Sequence, residues 1–301
     1  MKKVLFIYSK RRLKGRNRSL HTDWVDDCKN DVIVKFWGQG FGNQSKKGLL
    51  KVITSFNPDY IYLTIRKRYE GWLFDLTSIK VPKIFVEVDT WNYNAKDLWY
   101  KQFDHVYCRS PIWKTQFASY NKMMPSEKQF HRRIRNLESW KDVPQLRWSI
   151  SKKHICRNPN INRKKVYFIG KYTSQTGLYE DRRFMKKTMS DVITCFQRLQ
   201  YKKYFNLLKS AKALICPTET GLGHFVPGKI FEYAASGAAI LTNCDFDLIN
   251  MPEIEGFVIR YENLEDLRYK IKNVDFSKYY GALVPLMLEN THSKRYKKLF
   301  I

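Results

Sequence analysis

The chain has 301 residues and carries 55 Lys and Arg against 28 Asp and Glu, a formal net charge of +27, with 44% hydrophobic and 15% aromatic residues. That apolar share excludes a disordered basic tail, and the length predicts one large domain or two smaller ones. No run of about 18 apolar residues would cross a membrane, Val4–Tyr8 is too short for an export-signal core, and the six cysteines form no C-x-x-C pair. A cytoplasmic protein with reduced thiols, and without zinc or a disulfide framework, is therefore expected.

The first half alternates short apolar runs with helical patterns, which predicts βαβ units and a parallel sheet. Strands are expected over Lys3–Tyr8, Asp31–Phe36, Asp59–Leu63, Lys83–Val88 and His105–Cys108, with a helix over Lys46–Phe56 whose apolar positions are 49, 50, 52 and 53. The loop after the first strand, Ser9–Ser19, holds Lys10, Arg11, Arg12, Lys14, Arg16 and Arg18 around Gly15 with no acid. Such a loop suits a phosphate backbone, so Arg11, Arg12, Lys14, Arg16 and Arg18 are the candidate acceptor contacts. It is no P-loop, because Gly-Lys-Ser/Thr is missing. Gly38-Gln39-Gly40-Phe41-Gly42 after the second strand has tight-turn character.

The fourth strand ends in two acids, Glu87 and Asp89, whose spacing of two places them on one sheet face at the strand's C-terminal end. Asp89 is the candidate base or acceptor-orienting group, with Glu87 beside it, because a base must reach the acceptor hydroxyl. The competing reading makes Asp89 a cap for a helix starting near Asn94. Trp91 and Trp99 offer faces for stacking on a sugar or base, against the alternative that they are core.

From Pro111 to Asn160 the pattern is basic, helical and then irregular, which predicts a junction between domains. The expected division is 1–150 for acceptor binding and 151–287 for donor binding, with a C-terminal helix over about 288–301 returning to the first domain. The second alternation predicts strand Lys165–Gly170, helices Asp181–Leu199 and Lys202–Ser210, strand Ala213–Cys216, helix Gly228–Ser236, strands Ala239–Thr242 and Gly256–Ile259, and helix Asn263–Lys272. Two Rossmann-like halves facing a cleft are the expected α/β architecture.

The segment Pro217–Thr242 runs from strand through a glycine-bearing loop to a helix, a glycine and a strand. Its glycines admit a ligand close to the backbone, and the helix start near Pro227-Gly228 offers free N–H groups to phosphate. Lys229 adds a full charge on the first turn, and Glu232 lies three residues on, along the same helix face. Read alone, the pair better suits an ordinary capped helix with a surface Lys–Glu pair.

This run resembles the donor-binding segment of GT-B nucleotide-sugar glycosyltransferases, roughly P-x-K-x-x-E-Y/A-x-A-x-G before an apolar strand. Pro227, Lys229, Glu232, Tyr233, Ala235 and Gly237 match it. Phe168-Ile169-Gly170, Tyr179–Arg183 and His292–Arg295 are similar to the CgeB-like branch. Glu219 and Glu232 do not keep the spacing of the retaining pair, so the stereochemistry stays open. The resemblance implies that Glu232 binds the donor ribose while Lys229 and one of Arg182 or Arg183 neutralise the diphosphate. Gly170, Lys171 and His224 complete the implied donor set. It also implies a nucleotide-sugar co-substrate, expected to be a UDP-sugar, with no permanently bound cofactor and no required metal.

Charge is not spread evenly. Residues 1–20 sum to +8 and residues 131–190 to +12, whereas residues 221–290 sum to −4. Blocks of one sign predict a polyanionic partner, against the plainer alternative of a lysine-rich proteome. The expected acceptor is a hydroxymethylated base in double-stranded DNA, as in phage-type DNA-modifying enzymes, acted on by a monomer. Two alternatives are a glycolipid or polysaccharide acceptor at an anionic membrane surface, docked through residues 111–125, and an inactive nucleic-acid-binding module.

Overall fold

A computed structural model describes residues 1–14, 21–42, 44–88, 90, 93–109, 132, 135–136, 138–158, 163–170, 180–197, 199–217, 228–244 and 252–300. Two compact units emerge, one from Met1–Pro111, Arg132–Ser151 and Thr291–Ile301, the other built around Lys152–Asn290.

The first unit holds a parallel sheet of β1 (Lys2–Ile7), β2 (Val32–Trp37), β3 (Tyr60–Thr64), β4 (Lys83–Glu87) and β5 (His105–Cys108), in the order β2-β1-β3-β4-β5. Alternation along the central strands sorts their side chains onto two faces, both buried, as a sheet covered on both sides requires. Leu5, Ile7, Ile61, Leu63 and Phe85 enter one cluster with Trp37, Leu49 and Trp140. Val4, Phe6, Tyr62, Ile84 and Val86 enter the other, with Trp24, Tyr296 and Phe300. Helix α1 (Asp23–Asp27) follows β1, and α2 (Lys46–Phe56) follows β2. The Ser45 hydroxyl caps α2 by accepting from Gly48 N at 3.1 Å, and Asn57 closes it in the left-handed region at φ 47°.

The second sheet contains β6 (Lys165–Ile169), β7 (Thr194–Phe196), β8 (Ala211–Cys216), β9 (Ala239–Thr242) and β10 (Ile259–Arg260), ordered β10-β9-β8-β6-β7. Counted from its own first strand, that is the 2-1-3-4-5 order of the first sheet. Its helices are α3 (Glu180–Thr188), α4 (Tyr201–Ser210), α5 (Lys229–Ala235), α6 (Leu264–Asn273) and α7 (Val284–Glu289).

Two elements differ from the sequence expectation. The helix expected over Asp181–Leu199 ends at Thr188, and residues 194–196 pair with β6 as a parallel strand. The β-branched run Val192-Ile193-Thr194 favours extended backbone, and Met189 and Ile193 gain burial in the core by the break. The strand expected over Gly256–Ile259 is a 3₁₀ turn through Phe257, and only Ile259 and Arg260 join the sheet. Pro252 presets that turn, and an Arg260 to Glu255 ion pair at 3.0 Å fastens it to the strand.

The final helix, α8 (His292–Phe300), packs on the first unit. Tyr296 stacks on Trp24 with centroids 4.6 Å apart, and the buried Arg109 donates to the Tyr296 hydroxyl and to the carbonyls of Leu146 and Arg147. No described helix is long and apolar enough to cross a membrane.

Candidate functional site

In an open parallel sheet of this order, the crevice outside the strand C-termini at the reversal point is where a ligand fits. The second unit reverses between β6 and β8, and its motif residues gather there. Lys229 opens α5 and donates its ammonium to the Ile169 carbonyl at 2.8 Å, the last of β6. The Tyr233 hydroxyl donates to the same oxygen at 3.3 Å. Gly170 leaves room for that ammonium: a Cβ there would lie 2.8 Å from the Phe168 ring and 3.3 Å from Lys229 Nζ.

Glu232, one turn further along α5, is 3% exposed and accepts the Tyr204 hydroxyl at 2.5 Å. Of the two candidate arginines, Arg182 is half-buried with its guanidinium 5.9 Å over the Phe168 ring, and Arg183 is exposed. The Cys216 thiol at the end of β8 senses this set. Burial pushes it up to about 11, while Lys229 and Arg182 pull it down and Glu232 raises it. Two cations and one carboxylate thus surround the β6/β8 end. The Thr242 hydroxyl donates to the Cys216 carbonyl at 2.7 Å and accepts from Cys244 N at 3.1 Å, which ties β9 to this rim. Tyr204, Cys216 and Thr242 were not singled out in the sequence. Only their positions at strand ends and on a neighbouring helix, fixed by the topology, mark them.

In the first unit the reversal lies between β1 and β3. The Tyr69 hydroxyl donates to the Ile7 carbonyl at 2.8 Å and accepts from Thr64 N at 3.0 Å, and burial pushes its ionisation upward. The largely buried Arg68 donates to the Tyr8 hydroxyl at 2.5 Å. Gly38 sits at φ 132°, and a Cβ there would stand 2.7 Å from the Tyr8 carbonyl oxygen, so the β2 loop needs a glycine to pass. Ile65 holds φ 67°, a strained conformation for a β-branched residue that costs roughly 1–3 kcal/mol. Sequence reasoning missed Tyr8, Ile65 and Arg68, because nothing in Thr-Ile-Arg-Lys-Arg marks a backbone strained in this way.

Glu87 ends β4 and is fully buried. It accepts from the Tyr100 hydroxyl at 2.7 Å, from Arg66 N at 3.3 Å and from Val88 N at 2.8 Å. Those bonds hold the strained Ile65–Arg66 peptide against β4, so the geometry gives this carboxylate a positioning task. The Arg66 guanidinium pairs with Asp97 at 2.7 Å and lies 5.2 Å from the Trp99 ring. Trp99 itself packs on Phe85, Tyr100 and Phe103 as a flank of the core.

Arg11 is exposed on a 3₁₀ turn over Lys10–Lys14, which also carries the backbones of Arg12 and Lys14. Arg16, Arg18, Asp89, Trp91, Lys171, His224 and Glu219 lie outside the described residues, as does the segment 111–125. Among the described residues no group of three or more His, Cys, Asp or Glu is placed to hold a metal. The six cysteines are free, and all but Cys195 are buried.

No family model and no curated protein matches the sequence. Solved structures do match the fold. The glycosyltransferase AviGT4 of avilamycin A biosynthesis superposes with a TM-score of 0.60 at 11% identity over 100% of this chain and 97% of its own. Anabaena Alr3699/HepE, in complex with UDP and glucose, gives a TM-score of 0.56 at 10% identity over 99% of this chain and 98% of its own. A putative UDP-N-acetylglucosamine 2-epimerase from Listeria monocytogenes gives 0.51 at 12% identity over 99% and 95%. The chain has the α/β fold of the GT-B glycosyltransferases, with two Rossmann-like units.

Proposed function

We propose that the chain is a glycosyltransferase that moves a sugar from a nucleoside-diphosphate sugar, of the UDP class, to a hydroxyl acceptor. The observation that carries this reading is the convergence of Lys229, Arg182 and the buried Glu232 on the β6/β8 reversal point. Breaking the anomeric C–O bond leaves negative charge on the departing diphosphate, and cations fixed beforehand stabilise it without reorganising. Glu232, an acceptor-only group when ionised, suits the paired hydroxyls of a ribose. Lys229 and Arg182 are assigned to the phosphates, together with Gly170, Lys171 and His224. Asp89 is assigned to the acceptor hydroxyl, and Glu87 to holding the ends of β3 and β4 together. That HepE was solved with UDP and glucose supports the donor class.

The charge blocks support a polyanionic acceptor, and a hydroxymethylated base in duplex DNA is the member of that class we assign. Of the eight cations in residues 1–20, which sum to +8, Lys10, Arg11, Arg12, Lys14, Arg16 and Arg18 come after β1 in the chain. A base within a duplex must be turned out of the stack before its hydroxyl is reachable, and Arg11, Arg12, Lys14, Arg16 and Arg18 would hold the distorted backbone.

The test is to incubate hydroxymethylated duplex with a panel of nucleotide sugars and weigh the DNA by mass spectrometry. A mass increase of one sugar, lost in Glu232→Gln and steeply reduced by salt, supports both halves. Transfer to a glycolipid but not to DNA overturns the acceptor assignment alone. Conversion of UDP-N-acetylglucosamine to its 2-epimer without transfer overturns the transferase reading.

A further inference from the structure

The second unit carries a further group of cations at the opposite end of its sheet. Lys164 and Lys165 stand at the start of β6, Lys212 at the start of β8, and Lys272 in the last turn of α6. All four line one cavity of about 360 Å³, together with Val166, Ile271 and the polar Ser190 and Thr194. The acid on its wall, Asp191, is engaged by Arg268, whose guanidinium donates to both carboxylate oxygens, and it also feels the charge of Lys272. Among the described residues none of the four ammonium groups makes an ion pair or hydrogen bond, and that of Lys212 lies 5.3 Å over the Phe276 ring.

Four like charges around one hollow repel one another. An anion in the cavity reverses the sign of the interaction. Lysine ammonium groups are compact, rotatable point charges that suit tetrahedral phosphate oxygens, whereas planar carboxylates are matched better by arginine forks. The Thr194 and Ser190 side chains on the wall add hydroxyl donors. The volume is that of a small-ligand pocket, and a duplex would instead need an extended surface. Four cations correspond to two or three linked phosphates.

We propose that this cavity binds a compact polyphosphate, the diphosphate or triphosphate group of an inorganic ion or a nucleotide. The site is separate from the β6/β8 reversal point and stands whether or not the transferase reading does.

The test is calorimetric titration of the full chain with inorganic pyrophosphate, with UDP titrated alongside. The variant is Lys165→Glu with Lys272→Glu, both exposed positions, checked by an unchanged thermal midpoint. Pyrophosphate should bind the parent and Glu232→Gln alike and weaken at least tenfold in the double variant, whereas UDP bound at the β6/β8 reversal point, the part lost in Lys229→Ala, should be unchanged there. ADP binding as tightly as pyrophosphate marks an inorganic polyphosphate as the source, and tighter ADP binding marks a nucleotide; both support the site. Absent binding at low salt, binding unaffected by charge reversal, or binding lost in Lys229→Ala would overturn it. Lys212→Ala supplies a second charge-removing variant if the first fails to fold.

Discussion

At the end of β6 the last carbonyl, Ile169, receives a lysine ammonium; at the matching end of β1 the carbonyl of Ile7 receives a tyrosine hydroxyl. The two sheets share one strand order, so these are equivalent places in the fold. In the second unit the reversal point collects Lys229, Arg182 and Glu232, charges suited to a nucleotide diphosphate and its ribose. In the first it collects Tyr8, Tyr69 and a single arginine, with strained backbone at Ile65. One topology supplies the crevice twice, and the residues that fill it differ, charged in one unit and largely aromatic in the other.

The comparison breaks most readily at Glu232. Replacing it with Gln should lower kcat/KM at least about 100-fold, roughly 2.7 kcal/mol, while circular dichroism stays native. A variant with parental activity would remove the donor assignment from the second unit. Next is Gly38→Ala in the first unit, where the new Cβ would meet the Tyr8 carbonyl at 2.7 Å with φ at 132°. Urea unfolding should show a loss of about 2–3 kcal/mol, and no such loss would mean that the β1/β2 loop is looser than described.

Alkaline titration compares the same two regions by their buried acids. The Cys216 thiol rises from 9.0 to about 11 in the folded chain through burial. Because its folded value is raised, its contribution is complete below pH 9 and is lost as pH climbs through 11, about 2 kcal/mol of it by pH 11. Cys216→Ala should remove that part of the alkaline loss, leaving the part from the first unit, where burial likewise pushes Cys108 up to about 12. The smallest effect separates two neighbours. Arg182→Ala should cost about tenfold in kcat/KM, near 1.4 kcal/mol, and Arg183→Ala less than about twofold, since only Arg182 reaches the Phe168 ring.

Much of the fold was legible because a parallel sheet buried on both faces writes itself as apolar runs. His105–Cys108 and Lys46–Phe56 match their expected limits, and the other strands of the first sheet shift by about one residue. The missed strand, Thr194–Phe196, is short and sits on a sheet edge, where burial is partial and the pattern blurs into the helix before it. At the site, Lys229 and Glu232 were readable because they share a helix turn and a motif. Tyr204 was not, since it reaches Glu232 from 28 positions away. Neither were the four lysines of the cavity, whose spacing along the chain has no period and whose proximity arises only when β6, β8 and α6 assemble.

The last helix gives the order of synthesis a physical meaning. The first unit needs Tyr296, Leu299 and Phe300 to cover the face formed by Val4, Phe6 and Tyr62, yet the second unit lies between them in the chain. On the ribosome, the unit translated later has its last helix before the earlier unit has its own. Until residues 291–300 emerge, an aromatic sheet face stands open to water. Transiently exposed apolar surface of that kind is what makes an incomplete domain prone to aggregate.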